Sequence, residues 1–228
     1  MRILVTAAED QELQRAVKAI GEVRQQKELE AQVEFHLTGI GSVQACHRVT
    51  HEVMAAAAQG NPYNLVINIG IAGSYDLDKF PIGSEAVITR EFFGDLGFGS
   101  SDGFTDLFQY GILEKDVFPY TNGALARQLL PYDQIEQVLE KYKKGTGITV
   151  QSVTGTPEKV EELKGHFAPD IESMEGAGVY YAALMENIPF FELRTVSNAV
   201  GERDTRKWDS KAALDTLEKC CREIFSVI

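Results

Sequence analysis

The sequence predicts an α/β fold: one domain spanning residues 1–228, built as a three-layer α/β/α sandwich around a mixed, mainly parallel sheet. Short apolar runs alternate with amphipathic segments along the chain, as they do where helices connect parallel strands. Some runs are apolar throughout, which is typical of strands that helices cover on both faces. Since the 228 residues are 44% hydrophobic, the chain is also long and apolar enough to bury one sizeable core.

The first part of the chain shows the alternation most clearly. Residues 3–7 form a short apolar strand, and residues 10–20 carry apolar side chains at the spacing of an amphipathic helix. Residues 33–39 predict the second strand, and a serine that favours helix initiation opens the helix predicted at 42–58. Residues 64–69 are apolar apart from their ends and predict a buried strand.

The second part continues this pattern around one unusual segment. Residues 94–111 are rich in glycine, aspartate and phenylalanine, which predicts a long loop or flap of the kind that often carries function. The apolar patterns predict strands at 85–93, 147–153 and 188–197 and helices at 124–130, 134–143, 157–164 and 209–227. Another helix is expected to begin just after Ser173, which is a favourable capping residue.

Charge and cysteine content limit the partners and the compartment. The net charge of −12 argues against nucleic acid and against an anionic membrane surface as partners. No stretch has the length of a membrane span, and the first apolar run is too short for a signal peptide. Because Cys46, Cys220 and Cys221 make a poor disulfide framework, we expect free thiols and a cytoplasmic protein.

Several candidate functional residues follow predicted strands, where ligands gather in α/β folds. Taken alone, Glu12 is an ordinary carboxylate near a helix start, favoured there by the helix dipole. The segment Gly70 to Gly73 is either a tight strand exit or a place where backbone approaches a flat base, and it lacks the spacing of a dinucleotide or triphosphate loop. The histidines show no metal-site spacing, so we expect neither a metal nor a cofactor.

A second group of candidates lies in the segments 173–177 and 194–204. Glu175 is either a dipole-stabilised surface carboxylate or the acceptor of two hydrogen bonds from a ribose diol. Met174 is either part of the core or a flexible apolar floor under a sugar. Arg194 lies in an apolar strand and needs a carboxylate partner, in a structural ion pair or in a pair directed at a water or a sugar hydroxyl.

Asn198, at the end of the last predicted strand, also has two interpretations. It is either a turn residue, since asparagine tolerates left-handed dihedrals, or a bidentate contact to a purine edge.

These segments occur in the order found in the nucleoside phosphorylase and nucleosidase superfamily, which the chain resembles over nearly its whole length. Within it, they are most similar to the methylthioadenosine/S-adenosylhomocysteine nucleosidases, except that Asn198 stands where those enzymes carry a catalytic aspartate. The chain resembles the futalosine hydrolases, which remove hypoxanthine from futalosine in an alternative menaquinone route. The segments that carry this resemblance are 94–97, 102–104, 153–156, 197–204 and 208–209.

The resemblance implies a role for each matched residue. Glu12 would polarise the attacking water, with Arg194 helping to hold it, while Met174 and Glu175 would hold the ribose. Asn198 would contact N7 and O6 of the base. The remaining implied contacts line the base or close the pocket: Ile71, Ala72, Gly73, Val153, Thr154, Gly155, Ser197 and Trp208.

An asparagine in place of the aspartate has a chemical consequence for the purine. Its oxygen can accept a hydrogen bond from N7–H while its amide donates to O6, whereas a 6-amino group would set donor against donor. Since an unpaired polar group costs about 1–3 kcal/mol, Asn198 favours a 6-oxopurine over adenine. Futalosine hydrolysis is the first hypothesis; an adenine-releasing nucleosidase, a purine nucleoside phosphorylase and a non-catalytic nucleoside sensor are the alternatives.

The nucleophile and the substrate tail give further expectations. Asn68 and Ile71 stand where purine phosphorylases carry the arginine and serine that bind phosphate, so we expect hydrolysis. Arg203 and Arg206 could bind the carboxylated tail of futalosine or could be solvated charges paired with neighbouring acids. The resemblance further implies a homo-oligomer, a dimer or larger, with a small-molecule purine nucleoside as its ligand.

Overall fold

The computed structural model describes residues 1–100 and 103–228. Within these ranges the strands are β1 (Arg2–Ala7), β2 (Gln32–Leu37), β3 (Leu65–Ser74), β4 (Glu85–Phe93), β5 (Gly97–Ser100), β6 (Gly103–Asp106), β7 (Tyr120–Thr121), β8 (Ala124–Ala126), β9 (Lys144–Thr149), β10 (Ile171–Ser173) and β11 (Phe190–Ala199). The helices are α1 (Asp10–Gln26), α2 (Ser42–Ala58), α3 (Asp133–Leu139), α4 (Pro157–Phe167), α5 (Gly176–Met185) and α6 (Ser210–Phe225), with a short 3₁₀ turn at Thr205–Lys207. None of these helices is long and apolar enough to cross a membrane.

The larger sheet is mixed, and β3 is its central strand. β3 lies parallel to β1 and β11 and antiparallel to β10. β9 lies parallel to β10 and β4, while β4 is antiparallel to β11 and β8. Because β3, β11, β4, β9 and β10 each pair with the next and β10 returns to β3, these five strands close into a ring. The end of β3 therefore lies between β10 and the end of β11.

Helices cover both faces of this sheet, which confirms the predicted α/β sandwich. Successive residues of β1 point to opposite faces: Ile3 and Val5 pack in a core with α1 and α6, whereas Leu4 packs in a second core with α2 and α5. All three cysteines are free thiols, as predicted.

The helix predicted at 124–130 is wrong, because Ala124–Ala126 forms a strand of a tight hairpin. Asn122 and Gly123 connect β7 to β8, and their φ angles are +49° and +74°. An Asn-Gly pair with two positive φ angles is the connection that two-residue hairpins prefer. This turn chemistry outweighs the helical spacing of the apolar residues that follow it.

The segment predicted as a loop or flap, 94–111, contains a short antiparallel hairpin. Its strands β5 and β6 pair with each other. At the end of β6, the Oδ2 atom of Asp106 lies 2.6 Å from Nε2 of His166 in α4. Asp102, in the 102–104 motif, lies outside the described residues. The predicted loop or flap is therefore partly regular, in the residues that form β5 and β6.

Candidate active site

A cavity of about 270 Å³ lies where the ends of β1, β3 and β11 meet the start of α5. Its volume is near that of small-molecule sites in general. The strand ends and α1 contribute Glu12, Ile71, Ala72, Gly73, Ser197 and Asn198. Later segments contribute Val153, Met174, Glu175 and Trp208. The fold thus brings most of the predicted site residues together around one space.

The other predicted site residues do not line the cavity. Arg194 is buried beneath its wall. Thr154 and Gly155 directly follow the lining residue Val153, and Thr154 is buried. Arg203 is exposed and lies along Gly155, where a Cβ would collide with the Cδ of Arg203. Arg203 therefore lies beside the cavity, next to the part of the wall that Val153 forms.

Ser173 and Val200, from the candidate segments 173–177 and 194–204, line the cavity without having been assigned a role, and further lining residues are Ala8, Glu9, Ile40 and Glu172. Ala8 and Glu9 directly follow β1, so their position at a strand exit was a usable signal. Glu172 and Ser173 belong to a strand of three residues, which is too short to show a periodic pattern. No described residue of the hairpin segment 94–111 lines the cavity.

Glu12 is held at the cavity by two backbone amides. Its Oε2 accepts a hydrogen bond of 3.0 Å from Glu9 N–H, and its Oε1 accepts one of 2.9 Å from Ile71 N–H. The first contact follows from the place of Glu12 in the opening turn of α1, and the second ties α1 to the exit of β3. Only 5% of Glu12 is exposed. Burial raises the pKa of Glu12, although Arg194 and the two amides oppose this effect.

Arg194 is buried among carboxylates below the cavity. Its Nε donates to Glu192 Oε1 at 2.5 Å, and its Nη2 lies 3.5 Å from Glu175 Oε2. A Cβ at Gly70 would collide with Arg194 Nη1 and would lie 3.0 Å from Glu12 Oε1, so the glycine lets both groups approach. Although burial alone would lower the pKa of Arg194, the surrounding carboxylates raise it. The guanidinium therefore stays charged and fixes the carboxylates around it.

Glu175 directly precedes α5 and lines the cavity. Its Oε1 accepts a hydrogen bond of 3.1 Å from Gly41 N–H, in the turn before α2, and its Oε2 meets Arg194. The side chain of Glu175 makes no capping hydrogen bond to its own helix. An ionised carboxylate offers about four acceptor positions, so Glu175 keeps acceptor capacity for a ligand in the cavity.

The amide of Asn198 has one orientation in this site. Its Nδ2 donates to Ala199 O at 2.9 Å, and its Oδ1 accepts from the Ser197 hydroxyl at 2.7 Å. Since a backbone carbonyl only accepts, the atom next to Ala199 O must be the amide nitrogen. Asn198 therefore keeps one lone pair on oxygen and one N–H for a ligand.

Two further carboxyl groups lie behind Arg194. Glu91 and Glu192 are each about 1% exposed, and a Cβ at Gly176 would lie 2.9 Å from both oxygens of Glu192 and from Cδ of Glu91. Thr149 donates to Glu91 Oε1 at 2.6 Å. Burial, reinforced by the charge of Glu192, raises the pKa of Glu91 well above its usual range. We infer that Glu91 is protonated in the folded protein.

The substitution Glu91→Gln tests the protonation of Glu91 through stability. Because the pKa of Glu91 is raised in the folded state, its contribution to stability is complete at acidic pH and is lost as the pH rises through the folded-state pKa. Glutamine has nearly the same shape as a protonated glutamate and does not titrate. We expect the variant to lose less of its free energy of unfolding than the wild type between acidic and alkaline pH. Urea unfolding at several pH values measures the difference, and parallel curves for the two proteins would contradict the inference.

The charged side chains that line the cavity, among the described residues, are all carboxylates: Glu9, Glu12, Glu172 and Glu175. Arg194 supplies positive charge only from below. This arrangement stabilises a ligand that develops positive charge and disfavours a dianion. Residues 1–100 and 103–228 contain no cluster of three or more His, Cys, Asp or Glu side chains able to hold a metal ion.

Comparison with known sequences gives one family and a consistent set of relatives. A family model for the phosphorylase superfamily matches residues 8–228. Futalosine hydrolase of Streptomyces coelicolor is 32% identical over 193 residues, which cover 83% of this chain and 77% of the relative. Futalosine hydrolase of Thermus thermophilus is 29% identical over 195 residues, covering 83% of this chain and 79% of the relative.

Solved structures show the same fold. Futalosine hydrolase of Helicobacter pylori superposes with a TM-score of 0.77 at 17% identity, covering 98% of this chain and 97% of its own. A methylthioadenosine/S-adenosylhomocysteine nucleosidase of Streptococcus pneumoniae, bound to 8-aminoadenine, has a TM-score of 0.77 at 19% identity, covering 100% of both chains. At these identities the likeness concerns the fold alone.

Proposed function

We propose, since the chain belongs to the phosphorylase superfamily, that it hydrolyses the N-ribosidic bond of futalosine and releases hypoxanthine. Its relatives among the futalosine hydrolases support this assignment. The observation that carries it is the fixed orientation of Asn198, because a free lone pair and a free N–H on one amide match N7–H and O6 of a 6-oxopurine. The carboxylates Glu12 and Glu175 supply the other groups that the reaction needs.

The ribose lies between Glu175 and Met174 in this proposal. Glu175 accepts hydrogen bonds from the two hydroxyl groups of the sugar with the acceptor positions that Gly41 and Arg194 leave free. The thioether of Met174, which is half-buried at the cavity wall, packs against the sugar ring. Arg194 positions the carboxylate and does not itself touch the sugar.

Glu12 acts as the base. It accepts a proton from a water molecule whose oxygen bonds to C1′ as the bond from C1′ to N9 breaks. The electron pair of that bond stays with the purine, which gains a proton at N7 from solvent. N-ribosyl cleavage passes through an oxocarbenium-like sugar, as glycoside cleavage does, and the carboxylates around the cavity stabilise its positive charge. The raised pKa of Glu12 makes it a stronger base than an exposed glutamate.

Asn198 stabilises the departing base. Its Oδ1 accepts from N7–H and its Nδ2 donates to O6, while the Ser197 hydroxyl and Ala199 O hold the amide plane. Ala72 and Gly73 lie beside this amide at the end of β3 and Trp208 lines the same cavity, so they border the base. Trp208 is fixed by a hydrogen bond of 2.9 Å from its Nε1 to Glu202 O.

An assay with and without phosphate tests the proposed function. Because the described charges around the cavity are carboxylates, a phosphate dianion is repelled and water is the nucleophile. We expect hypoxanthine release from futalosine at the same rate in both conditions, measured by chromatography of the free base. Release that requires phosphate and yields a sugar 1-phosphate would identify a phosphorylase. No release of hypoxanthine in either condition would reject the proposal.

Arg203 is the candidate for the carboxylated tail of futalosine. It is exposed, its stem lies along Gly155, and no carboxylate lies within ion-pair distance of it in the described ranges. We expect Arg203→Ala to lower kcat/KM for futalosine about 5-fold, the upper end of the range for an exposed ion pair. Inosine, which has no such tail, should lose less than half of its kcat/KM.

Arg206 provides the matched control. Its guanidinium already makes two hydrogen bonds of 2.8 Å to the carboxylate of Asp204 and points to solvent. Arg206→Ala should therefore leave the ratio of futalosine to inosine unchanged. If Arg203→Ala lowers kcat/KM equally for both substrates, Arg203 does not bind the tail.

A further inference from the structure

Glu172 lines the cavity and has no part in the function proposed above. It lies on β10 and is 6% exposed. Its Oε1 accepts a hydrogen bond of 3.0 Å from Thr154 N–H, and its Oε2 accepts one of 2.7 Å from the Tyr75 hydroxyl. Burial, reinforced by Glu172, raises the pKa of Tyr75, so the phenol remains a donor. A carboxylate with about four acceptor positions therefore keeps some of them free at the cavity.

The sheet register places Glu172 across from Asn198. Both residues pair with Gly73 of β3, Glu172 from β10 on one side and Asn198 from β11 on the other. Residues paired across adjacent strands point to the same face of a sheet, and both side chains line the cavity. A Cβ at Gly73 would lie 2.9 Å from Val200 Cγ2 and 3.3 Å from Asn198 Nδ2, so the glycine lets these two side chains approach β3. Adjacent strands are about 4.8 Å apart, so the two backbones are separated by roughly 10 Å.

This gap matches the edge of a 6-oxopurine. Along that edge the base presents N7, then O6, then N1–H. When Asn198 contacts N7 and O6, the next group is N1–H, a donor that needs an acceptor once water is excluded. The free acceptor positions of Glu172 lie on the far side of Gly73 from Asn198. Adenine carries a lone pair at N1 and would face a carboxylate there without a hydrogen bond.

We propose that Glu172 is a specificity-determining residue that accepts the hydrogen bond from N1–H of the 6-oxopurine base. This inference rests on the proposed function and deepens it, because it assigns the third polar group of the base. Tyr75 and the backbone amide of Thr154 are positioning groups: they hold the two oxygens of Glu172 in place and do not touch the base.

Binding of the free bases to Glu172→Gln tests the proposal. Dissociation constants for hypoxanthine and adenine are measured by calorimetric titration of the wild type, E172Q and Y75F, with melting temperatures to show that each variant folds. Glutamine is a weaker acceptor for N1–H and can donate an amide hydrogen to N1 of adenine. We expect E172Q to lower the preference for hypoxanthine over adenine about 100-fold. Y75F should also lower the preference for hypoxanthine over adenine, but by less, because the substitution removes only one of the two hydrogen bonds that hold the Glu172 carboxylate.

The outcomes separate this proposal from the proposed function. Glu158→Gln, at an exposed position of α4, is the control for a change from carboxylate to amide and should keep the wild-type preference. If folded E172Q binds both bases with the wild-type preference, or binds neither, Glu172 only supports the Thr154 backbone and the proposal is overturned. A wild type that prefers adenine over hypoxanthine would instead reject the proposed function. A wild type that releases hypoxanthine from futalosine, beside an E172Q variant of unchanged selectivity, would reject only the role of Glu172.

Discussion

The substitution Glu12→Gln is expected to lower kcat for futalosine hydrolysis about 1,000-fold, which is the usual contribution of a positioned general base. Glutamine has nearly the same shape but cannot take the proton of the attacking water. Its amide nitrogen must also face the backbone N–H of Glu9 or of Ile71, both of which now donate to the carboxylate. We therefore expect the free energy of unfolding to fall by about 1–3 kcal/mol as well. Stopped assays of hypoxanthine release, with melting temperatures, measure both effects.

The pH profile separates the loss of the base from a loss of folded protein. Since the pKa of Glu12 is raised by burial, log kcat/KM of the wild type should fall on the acid side at a pH above the usual range of a glutamate. E12Q should retain its residual activity without this acid limb. Asp10→Asn, an exposed carboxylate in the same helical turn, is the control and should leave kcat and the profile unchanged. An E12Q variant with wild-type kcat would show that another group activates the water.

The substitution Asn198→Asp is expected to reverse the choice of base. The oxygen that replaces Nδ2 lies next to Ala199 O, a contact that is stable only when the new carboxyl is protonated and donates to that carbonyl. The variant then has no hydrogen for O6, while the oxygen that replaces Nδ2 keeps a lone pair that can accept a hydrogen bond from a 6-amino group. We expect the ratio of kcat/KM for futalosine to kcat/KM for methylthioadenosine to fall about 100-fold, as one hydrogen bond is lost and another gained.

Ser197→Ala supplies the comparison for Asn198→Asp. It removes the hydroxyl that donates to Asn198 Oδ1 at 2.7 Å and leaves the asparagine in place. The amide is then held by Ala199 O alone, so kcat/KM should fall for futalosine while the preference over methylthioadenosine stays on the side of futalosine. If N198D keeps the wild-type preference, the amide does not determine which purine is cleaved.

The parts of the site that were predictable lie at the exits of strands with clear apolar patterns. β1, β3 and β11 are long enough to identify from their sequence, and their parallel pairing brings Glu12, Ile71 and Asn198 to one edge of the sheet. Arg194 in an apolar strand predicted a carboxylate partner, and the structure provides both Glu192 and Glu175.

The other parts of the site depend on contacts between residues far apart in the sequence, which local sequence patterns do not reveal. β10 has three residues and runs antiparallel to β3, so nothing near Glu172 indicates that it lies across Gly73 from Asn198. Glu91 belongs to β4, and it lies near Glu192 because β4 pairs with β11, a strand about 100 residues later in the chain. In the hairpin of β7 and β8 the signal is present in the sequence, since Asn122 and Gly123 form a preferred turn, but the apolar residues after it also have helical spacing.

The central claim is that this cavity selects and hydrolyses a 6-oxopurine nucleoside through Asn198 and Glu12. The most direct measurement is a competition in which equal concentrations of futalosine and methylthioadenosine share one phosphate-free reaction with the wild-type protein. The initial rates of hypoxanthine and adenine release then give the ratio of the two kcat/KM values. We expect hypoxanthine to be released at least about 100 times faster than adenine. Release of adenine at an equal or higher rate would contradict the account.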